Sequence, residues 1–406
     1  MKVVHTTFER RSEMLCFYFI EELFGIQGAK YKDGGIEGNV YRIEIELPRK
    51  PHRCPVCGEQ TDRVHDYRKQ RIKAGAVNGY HAEVCYRKRR YECTGCGKRF
   101  YEENSFVGRY QRMTKMLILT VMEMVQGVRS FTEVGRMLGI SPQTVMRVYD
   151  VKEYGKPKHL PRVLGIDEFR GNTGHEKFQV SITDPENRRL KDVVLKRKET
   201  YLDKYFLSYP KEERDKVEFF VSDMYKPYLR IARDLFPNAV HIVDKYHWVR
   251  QFFWAFESIR KREQKRLCKA HRLYFKHNKK LLMRRYRTLN DDEQQQVLNI
   301  LYLSADLGTA YHYKEKLQEI LDLDDPKEQK RRLVLFADGL KQSQLPELER
   351  CAETYYNWLP GILASFEHPF TNAFTEGNHN KIKALKRNAY GYRDFSRFRK
   401  RILDMA

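Results

Sequence analysis

Two Cys-x-x-Cys pairs constrain the fold of this chain more than any other feature of its sequence. They read CPVCG and CTGCG, and residues 58–92 lie between the two pairs. Such a turn directs two thiolates at one ion, and two turns complete a tetrahedral site of four sulfurs. The interval exceeds the usual spacing of about 15–20 residues, so we expect a long hairpin between the pairs. We predict a zinc ribbon at residues 46–105, and the alternative is a pair of turns without metal. The predicted ligands of its structural Zn²⁺ are Cys54, Cys57, Cys93 and Cys96.

The other cysteines do not suggest a disulfide framework. Cys85 lies in a strand-like stretch and is predicted to pack in the core, whereas Cys16, Cys268 and Cys351 are isolated and predicted to be structural. Paired cysteines with few others favour metal binding in a reducing compartment. Residues 1–45 form a segment of unknown role, with a short helix predicted near residues 12–24.

A helix-turn-helix pattern follows the ribbon at residues 110–150. In SFTEVGRMLGISPQTVMRVYD, Gly139 supplies the turn, Ser141 can cap the second helix and Pro142 occupies its first position. The apolar positions expected to face the core are Val134, Met137, Leu138, Ile140, Val145 and Val148. The side chains predicted to point outward toward a DNA groove are Gln143, Thr144 and Arg147. An ordinary αα-hairpin is the alternative.

The rest of the chain has a mixed α/β pattern. A polar linker at residues 151–162 precedes five short apolar runs, of which the first three are separated by turn residues and the last two by a helical pattern. This order predicts a mixed sheet at residues 160–248, completed by residues 367–403. Residues 249–366 are predicted to form a helical insertion. Within it, the strongly basic segment 260–287 is predicted to be a DNA-facing helix, or else a solvated one.

Two aspartates follow apolar runs, and one glutamate precedes a basic segment. Asp167 ends the first predicted strand, Asp223 ends the fourth, and Glu376 opens TEGNHNKIKALKR. If those strands are neighbours, the carboxylates meet at one end of the sheet, where three of them suit two Mg²⁺ (or Mn²⁺) ions and phosphodiester chemistry. Taken singly, each aspartate is better explained as a turn or cap residue, and Glu376 could be a helix N-terminal charge and nothing more.

Other polar residues near the acids are predicted to be accessory. Glu168 should face away from Asp167, because strand residues alternate, and Asp244 and His247 could lie behind the metal ligands. The side chains about one, two and three turns beyond Glu376 could hold phosphates or form a solvated basic face. They are Asn380, Lys383 and Arg387.

The motifs together resemble bacterial insertion-sequence transposases of the DDE type, in the family with an N-terminal zinc ribbon (insertion-sequence family L-three). They are CPVCG, CTGCGKRF, the helix-turn-helix, GIDEF, SDMYKPY, FPNAVHIVDKYHWVRQ and TEGNHNKIKALKRNAYGYRDF, spread over residues 50–403. The resemblance implies a ribonuclease H-like catalytic domain interrupted by a helical insertion. It implies that Asp167, Asp223 and Glu376 form the metal-binding triad, and that two DNA ends are held in a homodimer or larger assembly.

The charge of the chain agrees with a polyanionic partner. Lys and Arg number 77 against 54 Asp and Glu, a net charge of +23, which favours phosphate binding through counterion release. No apolar run is long enough for a membrane span, and the expected location is the cytoplasm, at the nucleoid. We predict a transposase that binds terminal inverted repeats and target DNA, and that cuts and joins strands. The alternatives are a non-catalytic DNA-binding regulator and a nuclease that does not join.

Overall fold

The computed structural model describes residues 20–405. They divide into two compact units. The first contains the described residues up to Tyr154, with Ala384–Tyr392 and Met405, and the second contains Gly155–Lys383 and Arg393–Asp404. None of the helices in residues 20–405 combines the length and the apolar character needed to cross a membrane.

A five-stranded sheet organises the first unit. Its strands β5 and β6 pair antiparallel from Val64 to Val77, which confirms the long hairpin expected between the cysteine pairs. Strand β2 pairs parallel with β6 and antiparallel with β1, so residues 30–46 extend the same sheet. The five strands are β1 (Lys30–Glu37), β2 (Val40–Glu46), β5 (Val64–Val77), β6 (Tyr80–Glu92) and β7 (Arg99–Tyr101). Two short strands, β3 (His52–Arg53) and β4 (Gln60–Thr61), pair with each other separately.

Residues 20–24 are helical and form the described part of a helix α1. The remainder of the helix predicted near residues 12–24, and Cys16, lie outside the described residues. Ile20 and Phe24 pack in one core with Ile45 of β2 and Tyr86 of β6. The segment for which the sequence predicts no role therefore contributes to the core of the sheet.

Three helices complete the first unit: α2 (Lys115–Val125), α3 (Phe131–Leu138) and α4 (Pro142–Tyr149). Helices α3 and α4 are the predicted pair. The Ser141 hydroxyl caps α4 by accepting from the Thr144 N–H, and Gly139 has φ +66°, in the left-handed region. The expectation that Met137 faces the core is wrong, because its side chain is 43% exposed while Val134 and Leu138 are buried.

A second five-stranded sheet organises the second unit, in the order β10-β9-β8-β11-β12. The first three strands form an antiparallel meander, and β11 pairs parallel with both β8 and β12. The mixed sheet and the adjacency of the first and fourth strands are thus confirmed. The strands are β8 (Val163–Phe169), β9 (Gln179–Asp184), β10 (Arg189–Val194), β11 (Phe219–Ser222) and β12 (Val240–Val243).

Helices cover both faces of this sheet. On one face Leu164 and Phe220 pack with residues of α5 and α7, and on the other Val221 and Ile242 pack with Ala364. The helices in sequence between the strands are α5 (Glu199–Leu207), α6 (Lys211–Arg214) and α7 (Lys226–Leu235). After the insertion, the chain returns as α16 (Ala373–Asn388) and α17 (Phe395–Leu403).

The insertion is helical, as predicted, and has its own apolar core, to which Trp248, Phe252 and Phe336 belong. Its elements are α8 (Lys245–Arg266), α9 (Lys269–His277), α10 (Lys279–Met283), a 3₁₀ turn (Tyr286–Thr288), α11 (Asp291–Tyr302), α12 (Ala305–Leu321), α13 (Pro326–Lys341), α14 (Pro346–Asn357) and α15 (Leu359–Glu367).

The expectation that residues 260–287 form one DNA-facing helix is wrong. The segment is divided among the end of α8, α9, α10 and the 3₁₀ turn. Two of its cations are also engaged inside the protein: Arg260 is buried and paired with Glu257, and Arg262 lies 2.8 Å from Asp306. Local charge density predicted exposure here, whereas Glu257 on the same helix and Asp306, which the fold brings close, neutralise part of the charge.

Candidate active site

The register of the second sheet brings two aspartates to the same level. Phe219, Phe220 and Val221 of β11 pair with Val163, Leu164 and Gly165 of β8. Continuing this parallel register sets position 223 beside position 167. Asp167 lies within β8, which continues to Phe169, whereas Asp223 follows the last residue of β11. The two carboxylates therefore stand on adjacent parallel strands.

Side-chain hydrogen bonds attach the helix that carries Glu376 to this sheet. In α16 the Thr375 hydroxyl lies 2.9 Å from Thr183 Oγ1, and His379 Nε2 lies 2.7 Å from Ser181 Oγ. Both β9 partners neighbour β8 in the sheet. Glu376 lies between the two attachment points, in the first turn of α16, and its side chain is exposed.

The start of α16 is tied to the strand ends by one buried residue. Asn372 donates from its backbone N–H to Asp244 Oδ2 (2.6 Å) and from Nδ2 to the carbonyl of Ile166 (3.4 Å). Asp244 is buried, and its Oδ1 accepts from the Tyr246 N–H at 2.8 Å, which caps α8. Asp244 therefore positions the beginnings of both α8 and α16.

Burial and the charges of neighbouring acids raise the pKa values of both aspartates. Burial, and next the charge of Asp223, raises the pKa of Asp167 to about 7. Burial and the charge of Glu168 raise the pKa of Asp223 to about 6, against the opposing charge of Arg250. Buried carboxylates at close range gain most when a cation neutralises them. A bound cation would therefore relieve the cost of ionising both acids.

Glu168 faces the opposite side of the sheet from Asp167, as predicted from strand alternation. Its carboxylate accepts from Arg197 Nη1 at 2.7 Å and from the Tyr228 hydroxyl of α7 at 3.2 Å. Asp167 instead lies 3.6 Å from His379 Nδ1, in α16. Glu168 acts on the site through its charge.

His379 is a site residue that sequence reasoning did not identify. The Ser181 hydroxyl donates to the Asp167 carbonyl at 3.1 Å, so its oxygen accepts from His379 Nε2–H. Burial lowers the pKa of His379 to about 4, so the ring is neutral and its Nδ1 lone pair faces Asp167. The sequence signal was available, because His379 lies three residues after Glu376 and shares its helix face.

The residues present fit a hard divalent cation, because the acids offer only carboxylate oxygens. In the part of the chain that the structure describes, however, the four cysteines are the only group of three or more Cys, His, Asp or Glu whose ligand atoms all lie within 4.8 Å of one another. The carboxylates of Asp167, Asp223 and Glu376 therefore do not all lie within 4.8 Å of one another.

The four cysteines of the first unit fit zinc. Cys54 Sγ lies 3.6 Å from Cys96 Sγ, and Cys57 Sγ lies 3.4 Å from Cys93 Sγ. Four sulfurs each about 2.3 Å from Zn²⁺ would stand about 3.8 Å apart. The backbone N–H of Cys57 lowers the pKa of the Cys54 thiol to about 6, which favours the thiolate that binds metal.

The residues predicted to bind DNA are mostly exposed. Gln143 and Arg147 on α4 are exposed, whereas Thr144 is partly buried and its hydroxyl lies 2.9 Å from that of Ser141. On α16, Asn380, Lys383 and Arg387 are all exposed, and Lys383 Nζ lies 3.3 Å from Asn380 Oδ1.

Comparison with known proteins matches three consecutive parts of the chain to family models. They are a zinc-finger of transposase IS204/IS1001/IS1096/IS1165 at residues 50–96, a helix-turn-helix domain of transposase family ISL3 at residues 102–150 and a transposase model of the same family at residues 164–402. The last covers more than half of the chain. The transposase for insertion sequence element IS1001 of Bordetella parapertussis is 24% identical over 379 residues, 91% of this chain and 92% of that protein. An ATP-dependent protease of Lactococcus lactis subsp. lactis is 37% identical over 75 residues, 18% of this chain and 24% of that protein.

Proposed function

The chain belongs to transposase family ISL3, and from this premise we propose that it cleaves and joins DNA strands with Asp167, Asp223 and Glu376 as its catalytic metal ligands. The observation that carries the proposal is the register of β8 and β11, which sets the two aspartates level on neighbouring parallel strands. The attachment of α16 to β9 on both sides of Glu376 supports the third ligand. We further propose that this sheet and its helices form a ribonuclease H-like domain.

The chemistry assigns a role to each part of the site. When bound, Mg²⁺ or Mn²⁺ would activate a water or a 3′-hydroxyl and stabilise the leaving oxygen of a phosphodiester. Asp167 and Asp223 would hold the ions, because Asp167 lies in β8 and Asp223 directly follows β11. Glu376 is exposed on a helix and completes the ligand set from the solvent side. His379 and Asp244 are positioning residues, which orient Asp167 and the start of α16.

The DNA-binding parts of the proposal follow from the family and from the charge. The helix-turn-helix, through Gln143, Thr144 and Arg147, and the zinc ribbon would recognise the terminal inverted repeats. Asn380, Lys383 and Arg387 would hold phosphates of the element end or the target DNA beyond the metals. We propose that two ends are joined in a homodimer or larger assembly, and that the protein acts at the nucleoid.

The domain division that we propose keeps the boundaries expected from the sequence. It assigns the zinc ribbon to residues 46–105, the helix-turn-helix to 110–150, the catalytic domain to 160–248 with 367–403, and the insertion to 249–366. The pairing of β2 with β6 adds residues 30–46 to the sheet of the ribbon.

The test compares the full chain with Glu376→Gln and, as a matched control, Glu353→Gln. Glu353 is also an exposed glutamate on a helix of the second unit. Each protein is incubated with Mg²⁺ or Mn²⁺, duplexes carrying candidate element ends and a supercoiled target plasmid. Cleaved ends and joined products are measured on gels, and end binding is measured by fluorescence anisotropy.

We expect Glu376→Gln to lose cleavage and joining by at least about 100-fold while it binds ends normally, because a metal ligand is lost and the DNA-binding surface is kept. Glu353→Gln should match the wild type. Equal activity in all three proteins would remove Glu376 from the site. End binding without cleavage by any of them, across metals and substrates, would favour the non-catalytic regulator, and cleavage without joining would favour a nuclease.

A further inference from the structure

One face of α8 carries three stacked side chains, which we call the α8 ladder: the exposed Tyr246 and Trp254, with the half-buried Arg250 between them. They are four residues apart and so lie one above another on the helix. The Arg250 guanidinium carbon lies 5.0 Å from the centre of the Tyr246 ring and 4.6 Å from the Trp254 ring. The two aromatic side chains are 58% and 55% exposed.

The packing of the insertion does not account for the ladder. The opposite face of α8 supplies the core of the insertion through Trp248, Phe252 and Phe256, all fully buried. Arg250 also has a buried Nε for which no hydrogen-bond acceptor is found among the described residues. Two large aromatic rings left half exposed around a cation are therefore available for a ligand with flat faces and negative charge.

The ladder begins beside the catalytic acids. Helix α8 starts at Asp244, whose backbone N–H donates to the carbonyl of Ser222, the residue before Asp223. The charge of Arg250 acts on Asp223, and Arg250 Nη2 lies 3.2 Å from the Nδ1 of His247. From Tyr246 to Trp254 the helix rises about 12 Å. That length corresponds to about three or four stacked nucleotides of one DNA strand.

A groove beside Trp254, the last residue of the ladder, is large enough for a base and is lined by polar side chains. It has a volume of 190 Å³ and lies between α8 and α14, where Trp254 and Ala255 form an apolar part. Gln251, Ser258 and Thr354 line the same groove with hydrogen-bonding groups, and the exposed Arg350 supplies a positive charge. The acid in the lining, Glu347, is paired with Arg262 at 3.4 Å. This combination of an aromatic face, hydrogen-bonding edges and a cation is that of a site for a nucleotide.

We propose that the α8 ladder binds unpaired DNA bases next to the phosphodiester on which the acids act. The rings of Tyr246 and Trp254 stack on the faces of bases, and the charge of Arg250 attracts the strand. The net charge of +23 favours nucleic acid over a protein ligand at this surface. The inference rests on the proposed function in one respect, because only that function places the bound bases next to a reacting phosphodiester. Binding of an unpaired strand is measurable without any catalysis.

The experiment measures binding of the full chain in buffer without Mg²⁺ or Mn²⁺ and without a chelator, so that no strand is cut and the structural zinc stays bound. The probes are a 12-nucleotide oligothymidylate carrying one 2-aminopurine and a blunt duplex of matched length. The variants are Trp254→Ala, Trp254→Phe and, as a control, Tyr302→Ala. Tyr302 is an aromatic residue of the same insertion, at the end of α11, and is 90% exposed. Thermal unfolding followed by circular dichroism verifies that each variant is folded.

We expect Trp254→Ala to bind the single strand about 5- to 150-fold more weakly, the range that loss of one stacked base produces. Quenching of 2-aminopurine should be lost with it, and binding of the blunt duplex should change less than about twofold. Trp254→Phe should remain within a few-fold of the wild type because it keeps a stacking face, and Tyr302→Ala should not differ from it.

Unchanged single-strand binding in Trp254→Ala would overturn the inference. So would an equal loss for the blunt duplex or an equal loss in Tyr302→Ala, since either would make the effect non-specific. The outcome is separable from the test of the proposed function. If Glu376→Gln cleaves normally while Trp254→Ala loses single-strand binding, the catalytic proposal fails and the ladder stands. If Glu376→Gln loses cleavage while Trp254→Ala binds the single strand normally, the catalytic proposal stands and the inference about the ladder fails.

Discussion

Replacing Asp167 by asparagine should stabilise the metal-free protein at alkaline pH. An acid whose pKa is raised by folding destabilises the folded state as the pH rises above the unfolded-state pKa, and the loss levels off above the folded-state value. For Asp167 these values are 3.8 and about 7. Asparagine has no charge to bury. It keeps an oxygen for the Glu168 N–H, which the Asp167 carboxylate accepts at 2.8 Å.

The magnitude follows from the two pKa values. Ionising Asp167 costs the wild type up to about 4 kcal/mol of folding free energy at pH 8 and less than half of that at pH 5. Asp167→Asn should therefore unfold several degrees higher than the wild type at pH 8, with a smaller difference at pH 5. Millimolar Mg²⁺ should raise the melting temperature of the wild type, because the ion neutralises the buried charge, and should have little effect on the variant.

The assay is thermal unfolding at several pH values, without a chelator and either without or with Mg²⁺, for the wild type, Asp167→Asn and the control Asp324→Asn. Asp324 is exposed in the second unit, so its replacement should change little at any pH. The reasoning is refuted if Asp167→Asn is no more stable than the wild type at pH 8, or if its stability relative to the wild type does not depend on pH. A variant that keeps the full response to Mg²⁺ would show that Asp167 does not bind the ion.

Two further predictions concern the first unit. Cys93→Ser should lower the zinc content measured by mass spectrometry from about one ion per chain to near zero and should destabilise the ribbon, because a tetrahedral site loses one sulfur. The exposed Cys268→Ser should retain the metal, and full zinc content in both would contradict the predicted ligand set. Gly139→Ala should lower stability by about 1–2 kcal/mol and weaken end binding, because its φ is +66° and a Cβ would lie 2.6 Å from the His81 ring. Met137→Ala, at an exposed position of the preceding helix, is the comparison, and denaturant unfolding in which both variants match the wild type would count against the turn geometry.

Residues whose chemistry depends on near neighbours in sequence could be identified from the sequence alone. The Cys-x-x-Cys pairs, the capping Ser141 and the turn glycine Gly139 each act within a few residues, so their spacing carries the information. The two short helices of the helix-turn-helix follow from these signals. Met137 was predicted to face the core but is exposed. Helix α3 is only two turns long, so one residue of its apolar face can point to solvent.

The order of the residues supplies the set of chemical groups: four thiols in two pairs, three acids in a basic chain, and apolar runs for strands and helices. How these groups meet depends on contacts in the folded chain. The parallel pairing of β8 with β11 sets Asp167 beside Asp223, and the contact of His379 with Ser181 joins residues 198 positions apart. The pairing of β2 with β6, the ion pair of Arg262 with Asp306, and the exposure of Trp254 are equally non-local. The physical reason is that periodicity and spacing report what a segment can bury or bind, whereas strand register and side-chain pairing depend on contacts between segments far apart in the chain.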